Sequence, residues 1–502
     1  MSSSETLDFV ASVIVGRVSR AVLSRVETRS FNTVKLSCHP ESLRQFDNVF
    51  SDKTVRDLVK AIRYDVILPV VSDKRLRNKF QSTREAAENT RVFTEAILAL
   101  FTRLSYWEGQ RGVKLTLTAT SPSDDPILRT GNLRVKQWRN WFKCINLETS
   151  VVRSDSLPPA PCISFLDIQG LDSSTGDRSG RRLHPDVICV MANALPCLEH
   201  TIWDLYMPPR RMPSQRKQFK AALARALLQP TYASLTTLTI LLWDPDPRNE
   251  EAILVPDDEE DRLSLGMRRI CELPTLVSLF LWGKWCISHR AFRRFGPSVR
   301  ALFVNMSMTT PDGRWLLDVY PGSAEEEEHV VESDYSDSDD QGDTLLEMDS
   351  ENSDVEDRLP RRAEAIANQD RPSKQIREVP NPETFTPLVT SFTRAVASSN
   401  YSSCLGFAEM RLTTELASMQ LSYHGGVGVE DSRLSALPDF AQRIIKSDKV
   451  ETRTWRFEAY GGITASGWKI PGAMWDVMEE VVGAENINAN IGRTERVVPG
   501  PN

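Results

Sequence analysis

The chain has 502 residues, room for two to four domains of about 100–200 residues or for one long repeat array. Its net charge of −7 is unevenly placed: residues 325–357 hold 16 acidic side chains and no Lys or Arg, which leaves 61 basic against 52 acidic side chains elsewhere. Eight cysteines at long, unequal intervals fit buried thiols of a reducing compartment better than a disulfide framework, and no apolar run approaches the roughly 18 residues of a membrane span. The opening MSSSETLD lacks the basic region of a signal peptide, so a soluble protein of the cytoplasm or nucleus is expected.

In chain order, residues 7–36 begin as an apolar helical stretch, place Val18, Val22 and Val26 on a helix, and end in a strand-like tail. Strand-like runs follow at Val66–Val71 and Val113–Thr120. Between them Phe93, Ile97, Leu100, Phe101 and Leu104 fall at i, i+4, i+7, i+8 and i+11, one apolar stripe of a helix. Ile163–Ile168 reads as a further strand. Helices are expected at about 184–194, at 214–228 on Phe219, Leu223 and Leu227, and at about 258–271 on Leu263, Met267 and Ile270. From 321 to 379 periodicity is lost, and the acidic composition predicts disorder. Ser336 and Ser353 there each have an acidic residue three positions on, a pattern that suits an acidophilic kinase; a solvated spacer is the plainer reading. Pattern returns at Thr386 with a helix on Leu388, Phe392 and Val396, strands at Cys404–Leu412, Met419–Tyr423 and Thr452–Tyr460, and a helix at Ala473–Val482.

One phrase recurs within 195–308: LPCLEHTIWDL from Leu195, SLTTLTILLWD from Ser234, LPTLVSLFLWG from Leu273 and SVRALFVNMSM from Ser298. With Leu198, Leu238, Leu276 and Val299 taken as equivalent, the spacing is longer and less regular than in ideal leucine-rich repeats. The strand-then-helix order predicts an α/β fold, an irregular leucine-rich-repeat-like solenoid in which each unit buries its apolar side against its neighbours. Such an array offers a binding surface. Trp203, Trp243 and Trp282 end three of the phrases, and as aligned aromatics they are candidate partner-binding anchors; internal packing is the competing reading.

Candidate chemistry is sparse. Cys197 with His200, Cys286 with His289 and Cys38 with His39 have ligand-like spacings, but structural zinc needs four ligands. No phosphate loop, dinucleotide-binding fingerprint or nucleophile elbow occurs, so no catalytic, cofactor-binding or metal residues are assigned and an enzyme is not expected. Basic groups at Pro208–Lys217 and around Trp138 and Trp141 belong to no recognisable nucleic-acid module.

The stretch from Val18 to Leu36, VSRAVLSRVETRSFNTVKL, resembles the last part of a degenerate F-box of filamentous-fungal proteins. The phrase SMTTPDGRW at 307–315, the acidic stretch after it and PNPETFTPLV from Pro380 are similar to a fungal domain of unknown function that follows such F-boxes. The resemblance implies an F-box-like segment at 1–45, a leucine-rich-repeat-like array at 46–320, an acidic insert at 321–379 and a C-terminal α/β continuation at 380–502. A separate small α/β domain is the alternative for the last part. It further implies a protein-recognition subunit of a ubiquitin ligase, with Val18, Val22 and Val26 facing the adaptor and a cullin beyond it. The alternative is a stand-alone scaffold without adaptor docking.

Overall fold

The structure is a computed structural model that describes residues 32–71, 81–107, 111–123, 144–154, 157–168, 181–208, 212–228, 232–244, 261–319, 377–400, 405–413, 417–425 and 453–491. It is mixed α/β, built on one large, mostly parallel sheet. Strands β1 (Thr33–Ser37), β2 (Ala61–Ile67), β3 (Val113–Thr120), β4 (Ile163–Ile168), β5 (His200–Tyr206), β6 (Thr237–Trp243), β7 (Ser278–Trp285) and β8 (Ala301–Met306) lie side by side in chain order, each parallel to the next. β9 (Leu317–Val319) and β10 (Arg377–Pro380) form a separate antiparallel pair. β11 (Phe407–Thr413) then resumes the main sheet, parallel to β8. The last three strands change the pattern: β12 (Ala417–Gly425) and β13 (Arg453–Gly461) are antiparallel neighbours, and β14 (Ile487–Ala489) is parallel to β13. The 12 strands do not close; β1 and β14 are the two edges.

The helices are α1 (Pro40–Val49), α2 (Lys53–Arg56), α3 (Thr83–Leu104), α4 (Thr149–Ser154), α5 (Pro185–Asn193), α6 (Pro213–Leu227), α7 (Arg262–Cys271), α8 (Phe385–Asn400), α9 (Gly462–Ala465) and α10 (Gly472–Val482). Their starts follow local chemistry. Ser82 caps α3 through the Glu85 N–H, and proline opens α1, α5 and α6 at the first turn, where its missing donor costs nothing. The apolar stripes point inward: Phe93, Ile97, Leu100, Phe101 and Leu104 of α3 are fully buried, as are Phe219, Leu223 and Leu227 of α6.

Helices and one face of the sheet share a single core. It contains Ile62, Tyr64, Leu115, Leu117, Leu166, Trp203, Ile240, Leu281, Val304, Met410, Leu421, Trp455 and Phe457, which alternate along their strands. Each fully buried large apolar side chain contributes about 1.5–3 kcal/mol relative to exposure. Side chains at the intervening positions, among them Leu241, Phe280, Ala301, Phe303 and Phe407, are buried yet stand outside that core, on the second face of the sheet.

A common turn leads into the strands. The backbone N–H groups of Val59, Ile163, Leu198, Leu235, Leu276 and Val299 each donate to the carbonyl three residues back, at 2.9–3.4 Å, and all six side chains are buried. The repeat is therefore real in the backbone, with one correction of register. Thr237 pairs with His200 and Ser278, so Leu235, not Leu238, is the counterpart of Leu198 and Leu276. The phrase SLTTLTILLW offers two leucines three apart, and only strand pairing distinguishes them.

β3 and β4 occupy the expected spans, whereas β2 begins at Ala61 and ends at Ile67, ahead of the expected Val66–Val71. Pro69 supplies the reason, because it has no N–H for a parallel ladder. The anticipated boundary at residue 45 falls inside α1, whose Leu43 and Phe46 pack into the common core. Among the described residues no helix is long and apolar enough to cross a membrane.

Candidate recognition face

The second face of the sheet is ordered by the parallel register. One row across it reads Lys114, Phe165, His200, Thr237, Ser278, Ala301, Phe407 and His424. The next reads Thr116, Asp167, Ile202, Thr239, Phe280, Phe303, Glu409, Ser422 and Arg456. Lys114 Nζ lies 2.8 Å from Asp167 and 4.4 Å from the Phe165 ring centre, an ion pair set against an aromatic. Farther along the strands, Asp204 Oδ1 accepts from Trp243 Nε1 at 2.7 Å. Trp243 stacks on Tyr206 at 6.0 Å, and the Arg182 guanidinium lies 4.3 Å over Tyr206. Burial draws the Arg182 guanidinium below its ordinary value against the opposing pull of Cys144, Tyr206 and Asp204.

At the β7–β8–β11 junction Trp282 stacks on Phe303 at 5.0 Å, and Arg411 covers the same ring from 5.6 Å. Arg411 Nη2 pairs with Glu409 at 2.7 Å, and Gln420 Nε2 donates to Glu409 Oε2 at 3.1 Å. A carboxylate that is almost fully buried on a sheet face thus has two partners holding it in place. Burial pulls the His200 imidazole below its usual value, with Glu199 opposing, which favours the neutral ring.

Several atoms of this face lack a hydrogen-bond partner among the described residues although they are buried: Asp167 Oδ1, Thr239 Oγ1, Asn305 Oδ1, Ser422 Oγ and Arg411 Nε. They sit on five different strands of one sheet face. Buried polar atoms are normally paired, and each left without a partner costs about 1–3 kcal/mol.

The three candidate tryptophans do not line up. Trp203 pairs with Ile168 and Ile240, faces the helices and is fully buried; its indole donates to Thr201 Oγ1 at 2.7 Å. That position leaves it no surface for a partner, and the strand alternation between Trp203 and Asp204 explains why. Trp243 and Trp282 do face the second side and are partly exposed, but they stand in different rows: Trp243 is opposite Tyr206, and Trp282 is opposite Leu241. Tyr206, Phe303, Glu409 and Arg411 were missed by sequence reasoning. Their signal was the alternation itself, legible only once each strand's inward set is known.

Val18, Val22 and Val26, and Ser336 and Ser353, lie outside the described residues, as do Trp138 and Trp141. Arg216 of the basic Pro208–Lys217 run is engaged by Asp244 in two parallel contacts of 2.9 and 2.7 Å. Among the described residues no set of three or more His, Cys, Asp or Glu side chains converges as a metal site. The chain matches no protein-family model and no curated protein.

Proposed function

We propose that the protein is a recognition module whose second sheet face binds a protein partner, in the manner of a leucine-rich-repeat-like solenoid. The observation that carries this reading is the combination on that face of partly exposed Trp243 and Trp282 with the partly exposed cations Lys114 and Arg411. Aromatic anchors supply desolvated contact area, and the accessible cations beside them select what lies on the face. A rigid sheet holds both in register, so little ordering entropy is lost on binding.

The partner is the substrate of a ubiquitin ligase, and residues 1–31 are the F-box-like adaptor-docking segment through Val18, Val22 and Val26. This second half of the proposal rests on the sequence resemblance. Cytoplasm and nucleus both suit such a subunit, and no reaction of its own is assigned to the chain.

Affinity purification with mass spectrometry tests both halves together, using the full chain, a version lacking residues 1–31, and Trp282→Ala with Arg411→Glu. The full chain is expected to recover a cullin, its adaptor and further proteins. Removing 1–31 should release the cullin and adaptor alone, and the face variant should release only the further proteins. A folded face variant that keeps every partner would sink the recognition-face reading. Absence of cullin and adaptor from the full chain would sink the ligase reading and leave a stand-alone scaffold.

A further inference from the structure

The helix side of the molecule carries a feature that the recognition face does not use. Arg262, Arg268, Arg269, Arg290, Arg293 and Arg294 gather there against two carboxylates, Asp261 and Glu272. On α7, Arg262, Leu265 and Arg269 fall at i, i+3 and i+7 and are all exposed, forming one outward stripe. The next segment adds exposed Arg290, Arg293 and Arg294. Glu272 joins the two, lying 3.0 Å from Arg268 and 3.7 Å from Arg294.

This basic surface has an apolar centre. A groove of about 440 Å³ is lined by Leu228, Leu265, Leu273 and Pro274 together with Arg268, Arg269 and Glu272. Leu228 and Leu265 remain 39% and 38% exposed, two of the few large apolar side chains among the described residues that do. The C-terminal ends of α6 and α7 and Glu272 bring negative charge here that Arg268 and Arg269 balance, and Arg262, Arg290, Arg293 and Arg294 add the surplus positive charge around it. The surface thus suits a polyanion that carries apolar side chains.

One such polyanion belongs to the chain. Residues 325–357 contain 16 carboxylates, no cation, and the apolar triplet Leu345, Leu346 and Met348. Residues 320–376 begin and end at one place, because Val319 and Arg377 are paired neighbours of β9 and β10. That place is close to the basic surface. β10 leads through Asn381 into α8, and six residues into α8, about 9 Å of helix, Ser391 Oγ donates to the carbonyl of His289 at 2.8 Å. Phe392 packs against Phe292 at 5.4 Å in the same contact. Tethering at that distance makes docking intramolecular, with an effective concentration on the order of millimolar.

We propose that residues 325–357 dock on the Arg262–Arg294 surface, with Leu345, Leu346 and Met348 seated in the Leu228–Leu265 groove. The proposal is independent of the recognition-face reading. Its logic is charge complementarity at the rim and apolar burial at the centre.

The test is photo-crosslinking in the full chain with benzoylphenylalanine in place of Leu265, and separately in place of Leu228, followed by peptide mapping. The expected adduct joins the probe to 325–357 within one molecule, with a yield independent of protein concentration. Raising the salt from about 0.05 to 1 M should lower that yield by roughly tenfold, since the Debye length shrinks to about 3 Å. Arg269→Glu with Arg293→Glu and Arg294→Glu should lower it similarly at low salt. Adducts only between two copies, only elsewhere in the chain, or none from either probe would overturn the proposal. So would salt-sensitive binding of a single-stranded oligonucleotide that the triple variant abolishes while no 325–357 adduct forms, which would assign the surface to nucleic acid.

Discussion

At the scale of single residues, burial decides which groups are chemically available. Cys162 and Cys271 are essentially inaccessible, and burial pushes both thiols up to about 12. The thiolate is the reacting species, so alkylation of the native protein at pH 8 should be on the order of a thousandfold slower at these two cysteines than at a free thiol, as mass spectrometry of iodoacetamide-treated protein will read. Equal labelling of Cys162 and of unfolded protein would contradict the packing described. Asp186 behaves oppositely. Burial alone would raise it, but His184 and Arg225 outweigh burial and hold it at about 2. Arg225 Nη2 lies 2.6 Å from one carboxylate oxygen and His184 Nδ1 3.3 Å from the other, tying the starts of α5 and the end of α6 together. A lowered folded value means that the stabilisation is complete above the unfolded value near 4 and is lost as pH falls through about 2. Asp186→Asn should therefore cost about 1–2 kcal/mol at pH 7, discounted because Arg225 is half exposed, and the gap from wild type in urea unfolding should narrow between pH 4 and pH 2.5.

At the scale of elements, one strand is shaped by a glycine. Gly283 has φ +100, and a Cβ there would stand 1.9 Å from the carbonyl oxygen of Leu242 on β6. The β7–β8 register shifts across the same stretch, between Leu281 and Trp285, so the glycine permits both the bulge and the close approach of β6. Gly283→Ala should cost about 2 kcal/mol or more, seen as a lower urea midpoint with an unchanged slope. A neutral substitution would mean that β7 does not bend as described. The sequence disclosed most elements because their apolar periods are clean: Phe93 to Leu104 could hardly be anything but one helical stripe. It disclosed less about faces. β6 and β7 are buried on nearly every residue, so TLTILLW and SLFLWGKW show no alternation from which to tell Trp203-like inward positions from Trp282-like outward ones. α1 was passed over although Leu43, Phe46 and Phe50 fall at i, i+3 and i+7, and Phe46 and Phe50 pack against Trp107, a residue that follows α3 some 60 positions later. The candidate face was the least legible part, since its rows join residues 13 to 106 positions apart and exist only through register.

At the scale of the whole molecule, the sheet is one continuous object although the chain leaves it for a long interval. β8 and β11 pair over six residues, from Ala301 opposite Phe407 to Met306 opposite Leu412, and Phe295 joins Ser399 of α8 through its backbone N–H. The parts before and after residues 320–376 therefore share a core and should unfold together, which argues against a separate C-terminal domain. Because Val319 stands opposite Arg377, a turn of about four residues can close the same gap that 57 residues now span. Replacing 320–376 by such a turn shortens the loop by nearly four doublings, and at about 0.6 kcal/mol per doubling the folded state gains roughly 2 kcal/mol from loop closure alone. The expected result is a single unfolding transition at a midpoint equal to or above that of the full chain, followed by both circular dichroism and tryptophan fluorescence. Two separated transitions would show that β11 to β14 form an independent unit. A large fall in the midpoint with one transition would instead show that residues 320–376 add stabilising contacts worth more than the loop entropy, and comparing low with high salt would reveal whether those contacts are made by their charge.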